Sequence, residues 1–261
     1  MESSVSAEKV WMKNSLIEKK KVLVWLVTLT GLFMVTGLRA QQFNVQGDLV
    51  SSYIWRGMYQ TGVSIQPTLG FQAGGFSLTA WGSSDFDGTS SAAGVAAKEI
   101  DLTAAYTFGE TGLTVSVADL WWAGQGARNY FNFKSHETAH HFEAGLAYTL
   151  PLKKFPLSVA WYTMFAGMDK NAEGKQNYSS YMELNYPFRL KMVDLNATCG
   201  MVPYAAVNQY GNSGFAVTNV ALKGTVNIKI TKSFSLPVFA QAIWNPCLED
   251  AHVVFGITLR P

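Results

Sequence analysis

Val217-Thr218-Asn219-Val220-Ala221-Leu222-Lys223-Gly224-Thr225-Val226-Asn227-Ile228-Lys229-Ile230 alternates apolar and polar side chains along its length. Thr218, Val220, Leu222, Val226, Ile228 and Ile230 share one parity, whereas Asn219, Lys223, Thr225, Asn227 and Lys229 share the other. Only an extended strand sends successive side chains to opposite faces, so the stretch predicts a β-strand. A soluble barrel turns its apolar face inward. Lysines on the inner face, opposite an all-apolar outer one, suit a barrel standing in lipid.

The same dyad recurs about a dozen times, after a single N-terminal apolar run. That run is read separately. Lys19, Lys20 and Lys21 lead into apolar residues 22–35, too few for a comfortable membrane span, and a more polar stretch ends at Ala40. Residues 1–40 are therefore predicted to be a signal peptide cut after Ala40, although Leu38 is bulkier than the small residue usual there. No cysteine follows the cut, which argues against a lipoprotein, and Met12 offers an alternative start. Residues 41–261 are expected to form one barrel domain.

The leader carries six of the 20 basic and three of the 18 acidic residues, which leaves 14 against 15. With no concentrated basic face, nucleic acid is not an expected partner. Charged residues make up 15% of the chain, below the roughly 25% of soluble domains, as a large lipid-wetted surface would require. Beyond the leader no segment has about 18 consecutive apolar residues, so any membrane crossing must be made by a closed barrel.

The pattern predicts about twelve strands, over 43–55, 63–72, 75–86, 98–109, 112–122, 137–150, 155–165, 177–187, 191–202, 215–231, 234–244 and 251–260. Short connections of hairpin size at 73–74, 110–111, 151–154, 188–190 and 232–233 alternate with long polar ones at 56–62, 87–97, 123–136, 166–176, 203–214 and 245–250. Such alternation is the mark of an up-and-down antiparallel transmembrane barrel, with turns toward the periplasm and loops outside.

The outward sets read as Val63, Ile65, Leu69, Phe71; Leu102, Ala104, Tyr106, Phe108; Phe142, Ala144, Leu146, Tyr148; Leu157, Val159, Trp161, Phe165; and Val253, Phe255, Ile257, Leu259. Aromatic girdles are expected at the strand ends. Phe43, Phe71, Phe76, Phe108, Tyr148, Phe155, Tyr186 and Phe234 fall near the short turns; Tyr53, Trp55, Trp121, Trp122, Phe165, Tyr178 and Trp244 fall near the loops. The inward set is polar and mixed in sign: Asp48, Arg56, Gln66, Asp101, Glu143, Glu183, Asp194, Asn196, Lys223, Asn227, Lys229, His252 and Arg260. A barrel of this size is wider inside than the eight-stranded kind filled by side chains, so these residues either line a narrow aqueous path or pair across a closed lumen.

One catalytic pattern competes. His136-Glu137-Thr138-Ala139-His140 spells the H-E-x-x-H of zinc peptidases, which needs a helix to bring both histidines to one metal. Continuous with a strand, the two would lie roughly 13 Å apart, so neither zinc nor another cofactor is expected. A lipid-facing hydrolase would need a serine beside a histidine such as His140, which shares the phase of Phe142, and no signature for one is present. Gly-rich stretches such as 73–75 and 109–112 read as turns. Cys199 falls in an apolar strand face and Cys247 in a loop; both suit an oxidising compartment without establishing a bridge.

The stretch Gly47-Asp48-Leu49-Val50-Ser51-Ser52-Tyr53-Ile54-Trp55-Arg56-Gly57, followed by Val63-Ser64-Ile65-Gln66-Pro67, resembles the opening hairpin of the TorF-type porin family. In that family the first strand ends in a Tyr-x-aromatic-Arg-Gly pattern with a Gln on the next strand; Tyr53, Trp55, Arg56, Gly57 and Gln66 match it. The resemblance implies an outer-membrane barrel of Gram-negative bacteria to which a channel function is ascribed, with no established substrate. By parity Arg56 and Gln66 then face the lumen, Arg56 at the mouth or paired to an inward carboxylate, and Tyr53 and Trp55 face the lipid interface. The chain departs from barrel habit by ending Leu259-Arg260-Pro261 rather than on an aromatic residue.

Together these readings predict a narrow passive pore for small hydrophilic solutes, not an enzyme, with outer-membrane lipid around it. The alternative is a closed structural, binding or adhesion barrel acting through its long loops.

Overall fold

The computed structural model describes residues 41–86, 98–122, 129–152 and 155–260. The predicted signal peptide, the predicted loop 87–97 and parts of the connections 123–136 and 151–154 lie outside them. Twelve long strands follow the dyad pattern: β1 (Gln42–Val50), β4 (Ser64–Ala73), β5 (Phe76–Asp85), β6 (Lys98–Thr107), β7 (Leu113–Trp122), β8 (His140–Thr149), β9 (Ser158–Gly167), β10 (Ser180–Leu190), β11 (Val193–Val202), β12 (Ala216–Lys229), β13 (Ser235–Asn245) and β14 (Asp250–Leu259). Between β1 and β4 sit two short strands, β2 (Tyr53–Trp55) and β3 (Met58–Thr61), and one helical turn, α1 (Val207–Tyr210), lies between β11 and β12.

The twelve form a closed antiparallel barrel in which each strand pairs with its sequence neighbours and β1 closes on β14. Closure leaves no strand edge, the condition for putting backbone into hydrocarbon. The seam is the shortest part of the ladder. β1 matches β4 in nine register pairs from Gln42↔Gln72 to Val50↔Ser64, but β14 in four, from Gly47↔Leu259 to Val50↔Gly256. Beyond Val50 the ladder continues by substitution: Ser51 N–H donates to the Phe255 carbonyl (2.8 Å), and the Ser51 hydroxyl oxygen accepts from Phe255 N–H (2.9 Å). The chain can therefore leave the wall at Ser51 without orphaning its neighbour's amide.

This departure corrects the predicted strand 43–55, which stops at Val50 and resumes as the separate β2–β3 hairpin. The predicted strand 137–150 also starts later, at His140, because residues 135–137 form a turn with His136 at φ +68°. The other strands hold to within a few residues of their predicted bounds.

Face assignment follows parity. Leu69 (58% exposed), Leu146, Val253 and Phe255 (61%) stand outward and bare, as do Leu102, Tyr106 and Trp161. A belt of exposed Leu, Val and Phe around the whole barrel is costly in water and favourable in hydrocarbon. Thr218 is an exception to its predicted outward place. It is the extra residue of a bulge, since Met201 pairs with Val217 while Gly200 pairs with Asn219, and it is fully buried. Cys199 and Cys247 are both free.

Adjacent positions on β4 test the face assignment. Leu69→Arg should destabilise the folded barrel by about 2–4 kcal/mol, whereas inward Thr68→Arg should cost much less, as read by urea unfolding in lipid vesicles.

Candidate functional site

Along the inner face, accessibility changes from one end of the barrel to the other. Asn44, Gln72, Asn227 and Lys229 are exposed near the short turns. Thr79, Thr103, Ser116, Thr198 and Thr225 are intermediate, and Ser64, Gln66, Ser83 and Glu99 are buried near the long loops. The inner wall is thus open to solvent toward the short turns, lined there mainly by polar groups, and ends at a packed layer near the long loops.

That layer is made by the β2–β3 hairpin. Trp55 pairs with Met58 across the two-residue turn Arg56-Gly57, whose φ angles of +50° and +85° are those of a type I′ turn. The hairpin enters between β1 and β4 and its tip reaches the far wall. Arg56 makes a bidentate ion pair with Glu143 of β8, Nη1 to Oε2 at 2.7 Å and Nη2 to Oε1 at 2.8 Å, and Nη1 also donates to the Tyr210 hydroxyl at 2.7 Å. The guanidinium lies 4.6 Å from the Trp55 ring centroid, 4.7 Å from Tyr162 of β9 and 4.6 Å from Tyr181 of β10. A desolvated cation so placed gains from the carboxylate and from the ring faces together. Burial, against the opposing pull of Arg56, raises the Tyr210 hydroxyl above its ordinary range, so Tyr210 accepts from Arg56 as a neutral phenol.

The rest of the hairpin is equally committed. Trp55 stacks on Tyr210 (5.7 Å, 9°) and meets Trp122 edge-on (5.5 Å), and Ile54 packs on the cluster of Val50, Ala221, Phe239, Ile243 and Val254. Tyr53 contacts Trp81 of β5 at 5.3 Å. Asn245 Nδ2 donates to the Gly57 carbonyl (3.2 Å), and a Cβ at Gly57 would lie 1.8 Å from the Thr218 carbonyl oxygen. Only glycine fits there, on sterics as well as on φ.

A second cluster sits on the outer side of the wall. His140 is fully buried beneath Tyr130 and Phe133, its Nδ1 2.6 Å from Asp119 Oδ1 and its Nε2 2.6 Å from the Tyr130 carbonyl. Both ring nitrogens are taken up by protein oxygens at hydrogen-bond distance, so neither faces open space where a metal could sit. His136 is exposed in the turn, and no group of three or more ligand-type side chains gathers among the described residues.

A family model described as bacterial protein of unknown function (Gcw_chp) matches residues 39–231. The chain belongs to the Gcw_chp family. The matched stretch includes the hairpin and every partner of Arg56 named above. No curated protein matches this Gcw_chp chain. Among solved structures it is similar to Salmonella typhi OmpF in complex with daunomycin, at 10% identity over 85% of this chain and 97% of that one with a TM-score of 0.38. It is also similar to the β domain of the Bordetella autotransporter BrkA, at 14% identity over 85% and 99% with a TM-score of 0.29.

In this Gcw_chp barrel the predicted inward residues divide. Asp48, Gln66, Asp101, Glu143, Glu183 and Lys223 stand on the inner wall, with Glu183 held by the Tyr181 hydroxyl (2.7 Å) and the Asn185 amide (2.5 Å) and Lys223 over the Phe239 ring (3.8 Å). Asp194, paired with Arg189 at 3.3 Å, and Lys229 and Arg260 are exposed at the short-turn rim, away from the hairpin layer. Arg56 comes from the hairpin rather than from the wall. Tyr53 and Trp55 are corrections: they lie inside against Trp81, Trp122 and Tyr210, not at a lipid interface, because the chain turns inward at Ser51. Trp122 is likewise buried on the inner face and Trp121 beneath Tyr130, so Phe165, Tyr178 and Trp244 remain of the girdle predicted near the loops. Sequence parity missed Tyr162, Tyr181, Asp85 and Glu99, all inward; the signal was present, since Glu99 and Asp101 share a parity on β6.

Arg56→Ala would leave Glu143 buried without its cation and should weaken hairpin docking by about 3–5 kcal/mol, read as faster amide exchange over residues 53–61. Adding Glu143→Gln should restore part of that protection.

Proposed function

We propose that this chain is an outer-membrane channel for small hydrophilic solutes whose aperture is set by the inward β2–β3 hairpin. The observation that carries the reading is the hairpin itself: it crosses the lumen at one level while the wall beyond it, toward the short turns, is mainly polar and open to solvent. An inner wall that is polar and solvent-accessible over part of its length is what a channel needs. The exposed apolar belt supports residence in a bilayer, and the predicted signal peptide supports export, with short turns in the periplasm and long loops outside. The TorF-type resemblance of residues 47–67 supports the same reading, because the residues that carry it build the hairpin turn and the start of β4.

Passage would be passive. Solutes enter the solvent-open part of the lumen and are limited by the layer at Arg56 and Glu143, with no chemical step and no cofactor. The closed binding barrel is the second reading, favoured by the tight packing of Trp55, Ile54 and Tyr53 against three sides of the lumen.

Planar-bilayer recording separates the two. Gly57→Val, which cannot seat against Thr218, should raise unit conductance severalfold over a small wild-type value. If neither protein conducts although both show heat-modifiable migration, the channel reading fails and the closed barrel stands.

A further inference from the structure

The inward charges near the hairpin do not balance. Glu143 is neutralised by Arg56, whereas Lys223 stands over the Phe239 ring. Asp85, Glu99, Asp101 and Glu183 have no cationic partner among the described residues.

Three of these four stand on one wall. Ser83 pairs with Glu99 and Trp81 with Asp101 across β5 and β6, so Asp85 is the diagonal neighbour of Glu99, and Asp101 lies roughly 7 Å further along the same face. Asp85 is 5% exposed and Glu99 4%. Both carboxylate oxygens of Asp85, Oε1 of Glu99 and Oδ1 of Asp101 find no hydrogen-bond partner. Buried, unpartnered carboxylates are costly. Tyr53 of the hairpin lies beside this wall, against Trp81.

We propose that the β5–β6 wall makes the channel selective for small cations, with Asp85, Glu99 and Asp101 supplying the field. The proposal rests on the channel reading above. The three do not converge on one point as metal ligands would. They form a rail of one sign beside the narrowest level, which concentrates cations and repels anions without holding either tightly. In the seated arrangement the hairpin covers the rail through Tyr53. When the hairpin shifts, water reaches the rail, its carboxyl groups ionise, and passing cations supply the countercharge. Arg56, held by Glu143 and three rings, already shows that this level of the lumen favours a positive group.

Reversal potentials in a potassium chloride gradient test this, using wild type, Gly57→Val and the triple variant Asp85→Asn, Glu99→Gln, Asp101→Asn. Wild type and Gly57→Val should pass potassium over chloride roughly tenfold, and the triple variant should fall toward no preference while still conducting. Conduction without cation preference, or an unchanged reversal potential in the triple variant, overturns the selectivity proposal and leaves the channel reading intact. No conduction from wild type and Gly57→Val overturns both. Heat-modifiable migration checks that the triple variant folds; should it not, Glu99→Gln alone must shift the wild-type reversal potential toward zero, and no shift counts against the proposal.

Discussion

Everything in this barrel depends on how β1 closes it. A sheet whose outer face is apolar must pair every backbone group, so β1 has to serve both β4 and β14. Yet the same strand is the root of the inward hairpin, and a chain cannot be both in the wall and across the lumen. Ser51 resolves the conflict: its amide and its hydroxyl oxygen complete the ladder to Phe255, after which the backbone is free to turn inward. The short seam is the structural cost of the plug.

Once inside, the hairpin is held by one charge and several rings. Arg56 adopts a left-handed φ that is uncommon for its type, and that geometry aims the guanidinium at Glu143. The pair is desolvated on both sides, with side-chain exposures of 11% and 7%, so its value lies less in net stability than in specifying one seated position. A hydrophobic tip could sit in several ways on Trp122, Tyr181 and Tyr210. A bidentate pair sits in one. Breaking it requires rehydrating both charges, and this gives the hairpin one defined seated position rather than a loosely filled lumen.

Most of the barrel was legible in the sequence because the dyad is a local property. Parity alone placed Leu69, Tyr106, Leu146, Trp161 and Phe255 outward and Gln66, Asp101, Glu143 and Glu183 inward. It failed where the chain stops obeying the wall. Tyr53 and Trp55 have the composition of an interfacial girdle and continue the alternation of β1, so nothing in their own identity distinguishes a lipid contact from a lumen plug. The two-residue Arg-Gly turn was the available local signal, and it lay within what reads as an ordinary loop. Thr218 failed for a related reason: a bulge shifts parity by one, and no single strand announces it. For His136 and His140 the expected strand geometry was also wrong in detail, since the strand begins only at His140, whose ring is occupied by Asp119 and Tyr130.

The sequence by itself determined the twelve wall strands, most of their faces and the alternation of short and long connections, because side-chain polarity with period two is written residue by residue. Only the tertiary structure decided what occupies the lumen. The partners of Arg56 come from β8, β9, β10 and α1, up to 154 positions away along the chain, and they meet because barrel closure brings the β1–β4 connection opposite them. The unmatched carboxylates of β5 and β6 are likewise a property of which charges face which across a closed ring, and no local pattern carries that information.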